Sequence, residues 1–312
     1  MDRATPDQSR GPSALTLSAF VAAVILGGGN FIAVRFSNRE LDPFWGAGLR
    51  FILAATLFVA IALALRLRWP RGQQLVLTLT YGVLNFALSY ALLYWALVRV
   101  TAGFGAVVLA VVPLVTLLLA ALHGLEPLRR RAILGSLLSL GGILLMTVRP
   151  QDVTLPIAGL VAMLLAALTV GEGVIVSKKV SGYHPAMTNA VGMTTGAVFL
   201  LALSALVSEQ WVLPRQAEAI WSVAYLVTFG SVGLFVLFLL VVRNWTVSAT
   251  SYSFVLFPVV TMLLEALLAD EPLTLQGVTG TVLVMIGVWF GALSPSARGL
   301  PPQPSEAVAQ TT

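Results

Sequence analysis

The sequence predicts an all-α membrane protein in which ten transmembrane helices form two inverted five-helix repeats around a central cavity. Three observations predict this class. First, 58% of the 312 residues are hydrophobic and only 10% are charged, whereas soluble domains carry about 25% charged residues. Second, the chain contains ten apolar runs that approach the roughly 20 residues a helix needs to cross a bilayer. Third, the second half of the chain repeats the first.

The apolar runs define the predicted spans and the domain limits. The spans cover residues 15–34, 43–65, 74–97, 102–122, 131–148, 155–176, 185–207, 219–242, 247–268 and 275–294. Gly and Pro inside these runs are compatible with helices, because lipid permits no other structure for an isolated spanning segment. We predict an uncleaved cytoplasmic tail at 1–14, since the first apolar run is too long for a signal peptide. The five-helix repeats then occupy 15–150 and 151–295, before a flexible cytoplasmic tail at 296–312.

The Lys and Arg residues predict the orientation, because short cytoplasmic loops are enriched in them. One side of the predicted topology holds twelve of the 18, the other side holds five, and Arg50 lies inside the second span. The twelve are Arg3, Arg10, Arg66, Arg68, Arg71, Arg129, Arg130, Arg131, Lys178, Lys179, Arg243 and Arg298. We therefore expect both termini in the cytoplasm of a bacterium, with the helices in the inner membrane. The net charge of +5 then reflects lipid topology rather than nucleic-acid binding.

An internal duplication underlies the predicted inverted repeat. A shift of 145 residues sets VVPLVTLLLAALHGLEPL at 111–128 on LFPVVTMLLEALLADEPL, with ten identities in eighteen positions that include the Pro113–Pro258 pair. A shift of 142 pairs Asn30 with Glu172. Because each copy has an odd number of predicted spans, the second copy enters the membrane from the opposite side. Two oppositely oriented halves can open a central site to each face in turn, which favours a transporter.

Several motifs resemble EamA-type members of the drug/metabolite transporter superfamily. These are LGGGNFIAVRF at 26–36, DPFWGAGLRFILAA at 42–55, and a proline followed by a terminal Glu, as in Pro113…Glu126 and Pro258…Glu271. Gly27 stands where the family often has Trp. The resemblance implies a ten-helix exporter whose cavity is bounded by helices 1, 3, 4, 6, 8 and 9, with helices 5 and 10 peripheral. YGVLNFALSYALLYWAL at 81–97 also resembles the YddG-type aromatic amino-acid exporters.

Glu172 and Asn30 are candidate cavity residues at equivalent positions of the two repeats. An ionised carboxylate at the bilayer centre costs at least ~2.5 kcal/mol. Glu172 is therefore either a proton carrier or a ligand for a substrate ammonium, or else a neutral carboxyl that locks helices together. Its polar mate Asn30 suggests that both halves present this position to the interior.

The third span carries further cavity candidates. Helical spacing places Tyr81, Asn85, Leu88, Leu92 and Trp95 on one face, with Tyr90 and Tyr94 opposite. Asn85 would be costly in lipid, so this face is expected to look inward and to offer an aromatic site. In the alternative interpretation, Tyr94 and Trp95 belong to an interfacial aromatic belt.

The remaining candidates are mostly structural. Ser248, Ser251 and Tyr252 share a face of the ninth span, where small residues favour helix packing, although hydroxyls there could bind a zwitterion. We assign structural or gating roles to Gly28, Arg50, Pro113, Pro258 and Glu265. Arg50 is expected to pair with a carboxylate or with helix-end carbonyls. Glu265 is expected to reach the interface, two turns from its helix end.

The predicted function is export of amino acids or related small metabolites by alternating access. The chain has no cysteine, no phosphate-cradling or HExxH motif, and His123 and His184 are too isolated for a metal site. We therefore expect no cofactor, a small-molecule substrate, and a monomer in the lipid bilayer. Transport of organic phosphates or nucleotide sugars would require several intramembrane basic residues, and transport of drugs is a further alternative. A channel remains open, whereas an intramembrane enzyme would need a reactive constellation at one depth that the sequence lacks.

Overall fold

The computed structural model describes residues 13–124, 130–147, 157–180, 183–244, 247–268 and 273–290, and these residues form helices without strands. The helices are α1 (Ala14–Ser37), α2 (Pro43–Ala64), α3 (Gln73–Leu97), α4 (Ala102–Leu122), α5 (Arg130–Thr147), α6 (Ile157–Lys179), α7 (Pro185–Leu206), α8 (217–244), α9 (Val247–Leu268) and α10 (Leu275–Val288). Glu126 and Glu271 lie outside the described residues.

Length and composition make this a multi-pass membrane protein. Within the described ranges, seven helices are long and apolar enough to cross a bilayer, and they belong to α1–α4 and α6–α8. Shorter apolar helices lie in α5, α9 and α10, at Ile133–Ile143, Ser253–Leu268 and Leu275–Val288. Each of the seven long helices coincides with a predicted span to within a few residues.

Capping residues explain where several helices begin. The Ser13 hydroxyl accepts a hydrogen bond from the backbone N–H of Thr16 at 3.2 Å, and Thr101 caps α4 in the same way through Phe104 N–H. Pro43 and Pro185 are the first residues of α2 and α7, a position where the missing N–H of proline costs nothing. The first residues of these helices are therefore determined by the local sequence.

Two helices contain a π-helical segment at corresponding places. In α3 the segment is Val83–Leu88 and in α8 it is Thr228–Gly233. They are offset by 145 residues, which equals the shift that superposes the two halves of the sequence. A π segment accommodates an extra residue in one turn and occurs frequently at functional sites. It also rotates the face presented by every residue that follows it.

The equivalent prolines Pro113 and Pro258 occupy different local structures. Proline removes one backbone hydrogen bond and crowds the preceding turn of a helix. In α4 the helix is interrupted at Ala110 and Val111, so Pro113 is the second residue of a new segment, Val112–Leu122. In α9 the helix continues through Pro258.

The packing pairs each helix with partners from the other half. Helix α1 packs on α8 and α9, and α6 packs correspondingly on α3 and α4. Helix α2 packs on α7, while α5 packs mainly on α10. Exchanging α1–α5 with α6–α10 therefore leaves this pattern of contacts unchanged.

The α5–α10 contact depends on Gly142, which gives a test of the packing. A Cβ atom at Gly142 would lie 2.7 Å from the Gly280 carbonyl oxygen, whereas one at Gly141 would meet nothing within 4 Å. We predict that Gly142→Val lowers the free energy of unfolding by about 1–3 kcal/mol through overpacking. The measurement is thermal unfolding of the detergent-purified protein. Gly141→Val, which adds the same side chain to the same helix, should be close to wild type, and equal melting temperatures for the two variants would contradict this packing.

Candidate functional site

A cavity of about 390 Å³ lies between the two halves of the helix assembly, within the size range of small-molecule sites. Its described lining comes from α1–α4, α6–α9 and the α6–α7 connection, with no residue from α5 or α10. The lining is mostly apolar. Its polar members are Asn30, Arg50, Tyr81, Asn85, Ser89, Tyr90, Thr116, Ser177, Tyr183 and Thr188.

Aromatic side chains of α3 and α8 line one wall of the cavity at Tyr81, Tyr90 and Phe235, and Phe51 and Phe86 pack behind them. The Tyr90 ring stands edge-on to Phe51, with centroids 4.6 Å apart, and Phe86 lies 5.0 Å from Phe235. Tyr81 packs edge-on against Phe86 at 5.5 Å. Aromatic pairs in these geometries are more favourable than their buried area alone implies. The wall is thus apolar and suited to a flat ring or a long apolar side chain.

The face that α3 presents to the cavity differs from the predicted face. Tyr81 and Asn85 lie in the lining as expected, but the next lining residues are Ser89, Tyr90 and Leu93 rather than Leu88, Leu92 and Trp95. The π segment Val83–Leu88 explains the difference, because one extra residue per turn shifts the inward face by one position. A regular period of 3.6 residues per turn therefore predicts the wrong cavity-facing residues after the π segment.

Trp95 consequently lies outside the described cavity lining. The Arg99 guanidinium carbon lies 3.5 Å above the centre of the Trp95 ring, and Arg99 Nη1 also donates to the Trp95 carbonyl oxygen at 2.7 Å. This stacked pair, close to the end of α3, fits the interfacial alternative for Trp95.

Arg50 is buried at the wall of the cavity, with 1% of its surface exposed. Its Nε donates to Ser231 Oγ at 2.8 Å and its Nη2 donates to the Gly230 carbonyl oxygen at 2.8 Å. The guanidinium carbon also lies 5.0 Å from the centre of the Tyr90 ring. Its carbonyl partner therefore belongs to the π segment of α8, and not to a helix end as predicted.

Asn30 converges on the same carbonyl group. Its Nδ2 donates to the Gly230 oxygen at 3.1 Å. A Cβ atom at Gly230 would collide with Asn30 Oδ1 and approach Arg50 Nη2 to 3.4 Å, so only glycine fits. Asn30 Oδ1 and Arg50 Nη1 are buried without a hydrogen-bond partner. Sequence reasoning missed Gly230 and Ser231, although the 145-residue shift aligns Gly230 with the polar Asn85.

Glu172 does not share the environment of its repeat mate. It lies outside the described lining, and its Oε1 is 3.3 Å from Nε2 of His123 at the end of α4. The neighbouring Gly173 packs directly against Asn85, which turns the Glu172 side chain away from the cavity. The expectation that both halves present this position to the interior is therefore not met.

Glu265 closes one end of the helix assembly. Its carboxylate accepts hydrogen bonds from the backbone N–H groups of Ala102 (2.8 Å) and Gly103 (2.6 Å), and it forms an ion pair with Arg35 at 3.0 Å. The N-terminus of a helix favours a carboxylate through its free N–H groups and its dipole. The side chain is 7% exposed, so it holds α1, α4 and α9 together instead of reaching the interface.

Further carboxylates bridge the two halves at this end, which we call the Glu265 end. Glu209 accepts from the N–H groups of Phe44 and Trp45 at the start of α2, at 3.1 and 2.7 Å. Glu40 accepts from Arg215 and Gln216 N–H groups before α8, at 2.8 and 3.0 Å. The opposite end, which we call the Tyr183 end, consists of the α6–α7 connection, where Ser177, Val180, Tyr183, Pro185 and Thr188 line the cavity. The described cavity lining therefore includes residues of the Tyr183 end and none of these three carboxylates.

Gly28 permits close contact between α1 and α9. A Cβ atom there would approach Val260 Cβ to 2.6 Å, and the Gly28 carbonyl oxygen accepts from Thr261 Oγ1 at 2.9 Å. Phe254 and Phe257 in the turns before Pro258 and Thr261 line the cavity. The positions of the Ser248, Ser251 and Tyr252 side chains lie outside the described part of the structure.

Comparison with known proteins agrees with this architecture. The EamA-like transporter family matches residues 14–148 and again 157–292. An uncharacterized transporter of Archaeoglobus fulgidus is 26% identical over 264 residues, covering 83% of this chain and 92% of the relative. The uncharacterized inner membrane transporter YedA of Escherichia coli is 27% identical over 258 residues, covering 82% and 83%. A probable amino-acid metabolite efflux pump of Salmonella typhimurium is 28% identical over 283 residues, covering 86% and 91%.

A solved crystal structure shares the fold. It aligns with a TM-score of 0.66 over 91% of this chain and 98% of its own, at 19% identity. The family match and the apolar helices together define the class as a multi-pass membrane transporter. The chain belongs to the EamA-like transporter family, within the drug/metabolite transporter superfamily.

The Glu265 contacts are expected to hold their end of the cavity closed. Because the chain has no cysteine, a single Val34→Cys in the cavity wall beside Arg35 reports access without background. Glu265→Gln removes the charge from hydrogen bonds worth about 1.5–3 kcal/mol. We predict that it raises maleimide labelling from the Glu265 side by roughly tenfold.

Glu218→Gln is the matched control for this measurement. Glu218 pairs with Arg39 at 2.7 Å, but both side chains are about half exposed, and such pairs contribute only ~0–1 kcal/mol. Its labelling rate should therefore stay near that of the Val34→Cys parent. Equal rates for the two Glu→Gln variants would show that Glu265 does not hold this end closed.

Proposed function

We propose that this chain exports amino acids or related small metabolites across the bacterial inner membrane by alternating access. The observation that carries the proposal is the cavity itself, which has aromatic side chains in its lining, extends to the Tyr183 end, and bears a buried cation and a buried amide on one wall. A substrate with an apolar side chain and a polar head group would fit such a lining. The Salmonella typhimurium relative is named a probable amino-acid metabolite efflux pump, which supports this substrate class.

Three observations support the proposed arrangement of ten helices in two inverted repeats. The family matches the chain twice, at 14–148 and 157–292. The π segments of α3 and α8 are offset by the same 145 residues as the repeated sequence. Finally, the pairing of helices is unchanged when the two halves are exchanged. Alternating access uses such symmetry by exchanging the conformations of the two halves.

The distribution of Lys and Arg in the sequence supports an orientation with both termini in the cytoplasm. In that orientation the Tyr183 end faces the cytoplasm and the Glu265 end faces the periplasm. The cavity lining then extends to the cytoplasmic end, where an exporter loads its substrate. Carboxylates bonded to helix N-termini keep the exit closed until the two halves exchange conformations.

Transport of apolar drugs is the second candidate, because most of the lining is hydrocarbon. Organic phosphates and nucleotide sugars fit less well, since Arg50 is the single Lys or Arg in the described lining. An intramembrane enzyme would need nucleophilic or acid–base groups close together in the cavity, and the described lining contains no His, Asp or Glu.

Counterflow in proteoliposomes tests the proposed function. Vesicles preloaded with a mixture of unlabelled amino acids should transiently accumulate labelled Phe, Met or Thr, and excess unlabelled substrate should abolish the signal. Protein-free vesicles are the control. The aromatic wall predicts that Phe and Met exceed Thr. Flat traces for every amino acid from folded protein would contradict the proposal and favour the drug alternative.

Cysteine labelling in intact cells tests the orientation separately. Arg215→Cys lies before α8 at the Glu265 end, and Arg71→Cys lies before α3 at the other end, with both residues exposed. We expect a membrane-impermeant maleimide to label the cysteine at 215 in intact cells, and the cysteine at 71 only after permeabilisation. The reverse pattern would invert the proposed topology.

A further inference from the structure

The cavity wall contains a buried charge, that of Arg50, with no carboxylate partner among the described residues. Arg50 is permanently protonated and almost fully buried, yet no described carboxylate pairs with it. Its Nε and Nη2 donate to neutral oxygens of Ser231 and Gly230. Buried charges in membrane proteins are normally paired or mark the path of a substrate. The arrangement therefore lacks an anion.

An unused donor and an unused acceptor lie on the same wall. Arg50 Nη1 and Asn30 Oδ1 are both buried without hydrogen-bond partners, and the hydroxyl of Tyr94, which lies beside Arg50, is a further buried group of this kind. They are brought together because Arg50 Nη2 and Asn30 Nδ2 donate to one oxygen atom, that of Gly230, at 2.8 and 3.1 Å. Both residues belong to the cavity lining, and the two atoms themselves are covered in the described conformation. Buried polar groups seldom lack partners unless a ligand or water supplies them.

We propose that Arg50 Nη1 binds the carboxylate of the substrate and that Asn30 Oδ1 accepts a hydrogen bond from its ammonium group. The substrate class is thereby narrowed to small zwitterionic metabolites that carry both groups, with the apolar side chain against Phe235 and Tyr90. This inference rests on the proposed function. A hydrogen bond from a guanidinium to a carboxylate is charge-assisted and is roughly twice as strong as one between neutral groups.

The contacts already made by Arg50 orient the free nitrogen. Its stacking near Tyr90 and its bonds to Ser231 and Gly230 fix the plane of the guanidinium. The π segment of α8 places the Gly230 carbonyl between Asn30 and Arg50, so the two head-group contacts come from α1 and α2 while α8 holds them in register. Head-group recognition is thus built on three helices drawn from both halves.

Competition with analogues of one side chain tests the proposal. L-Phenylalanine, 2-phenylethylamine (which lacks the carboxylate) and 3-phenylpropionate (which lacks the ammonium) are compared as competitors of counterflow and as thermal stabilisers of purified protein. We expect wild type to bind phenylalanine roughly tenfold or more tightly than either analogue, because each loses a charge-assisted hydrogen bond. Equal potency of phenylalanine and the amine would overturn the proposal, as would no effect of phenylalanine in either assay.

Two variants assign the discrimination to its residues. In Arg50→Gln, the preference for phenylalanine over the amine should fall to about threefold or less, while the preference over the acid persists. Asn30→Ala should give the converse pattern. An Arg50→Gln protein that melts like wild type and keeps its preference for phenylalanine over the amine would refute the assignment. If Arg50→Gln does not fold, Arg50→Lys replaces it as the test. This variant keeps the charge but loses the planar guanidinium, and it should weaken the binding of phenylalanine more than the binding of the amine.

The two assays separate this inference from the proposed function. If phenylalanine stabilises the protein more than its analogues do but no counterflow is seen, the binding site is supported and the proposed export is wrong. Counterflow of amino acids that phenylalanine and the amine inhibit equally would mean that the chain transports amino acids but that the proposed head-group contacts are wrong.

Discussion

The carbonyl group of Gly230 is the point at which the two halves of the protein are joined at the cavity. Arg50 Nη2 and Asn30 Nδ2 both donate to it, so α1 and α2 are tied to α8 through one acceptor. In a regular α-helix this oxygen would be engaged along its own helix axis. The π segment of α8 changes that geometry, and the absence of a side chain at residue 230 lets two large polar groups approach. Arg50 is the only Lys or Arg in the described cavity lining. Its position depends on both the π segment of α8 and the glycine at residue 230.

The same constraint explains why equivalent positions of the two halves have diverged. Glycine at 230 corresponds to Asn85 in α3, and Asn85 packs on Gly173 of α6. In the α3–α6 contact the larger residue, Asn85, therefore lies on α3. In the α1–α8 contact the larger residue, Asn30, lies on α1. Glu172 is turned toward His123 as a result, whereas Asn30 stays in the cavity. The helix arrangement is nearly symmetric, but the chemistry of its centre comes from one side.

Much of the fold could be predicted because lipid restricts it so strongly. A spanning segment must be helical and about 20 residues long, and the apolar runs mark such segments directly. The proposed duplication is visible in the sequence as matched residues such as Pro113 and Pro258. The inward face of α3 beyond Asn85 was not predictable, since one extra residue in a turn depends on contacts with other helices. The burial of Glu265 was equally hidden, because its partners Ala102 and Gly103 bind through main-chain N–H groups that leave no side-chain signature.

The equal placement of the two π segments also bears on the history of the chain. Independent insertions into α3 and α8 would rarely fall at the same offset of 145 residues. One insertion made before the proposed duplication would be inherited by both copies. On that account the ancestral five-helix unit already carried the irregular turn, and a later exchange between glycine and a larger residue at its centre made the two copies differ. The oldest part of the binding site would then be its backbone, and the side chains that contact the substrate would have been added afterwards.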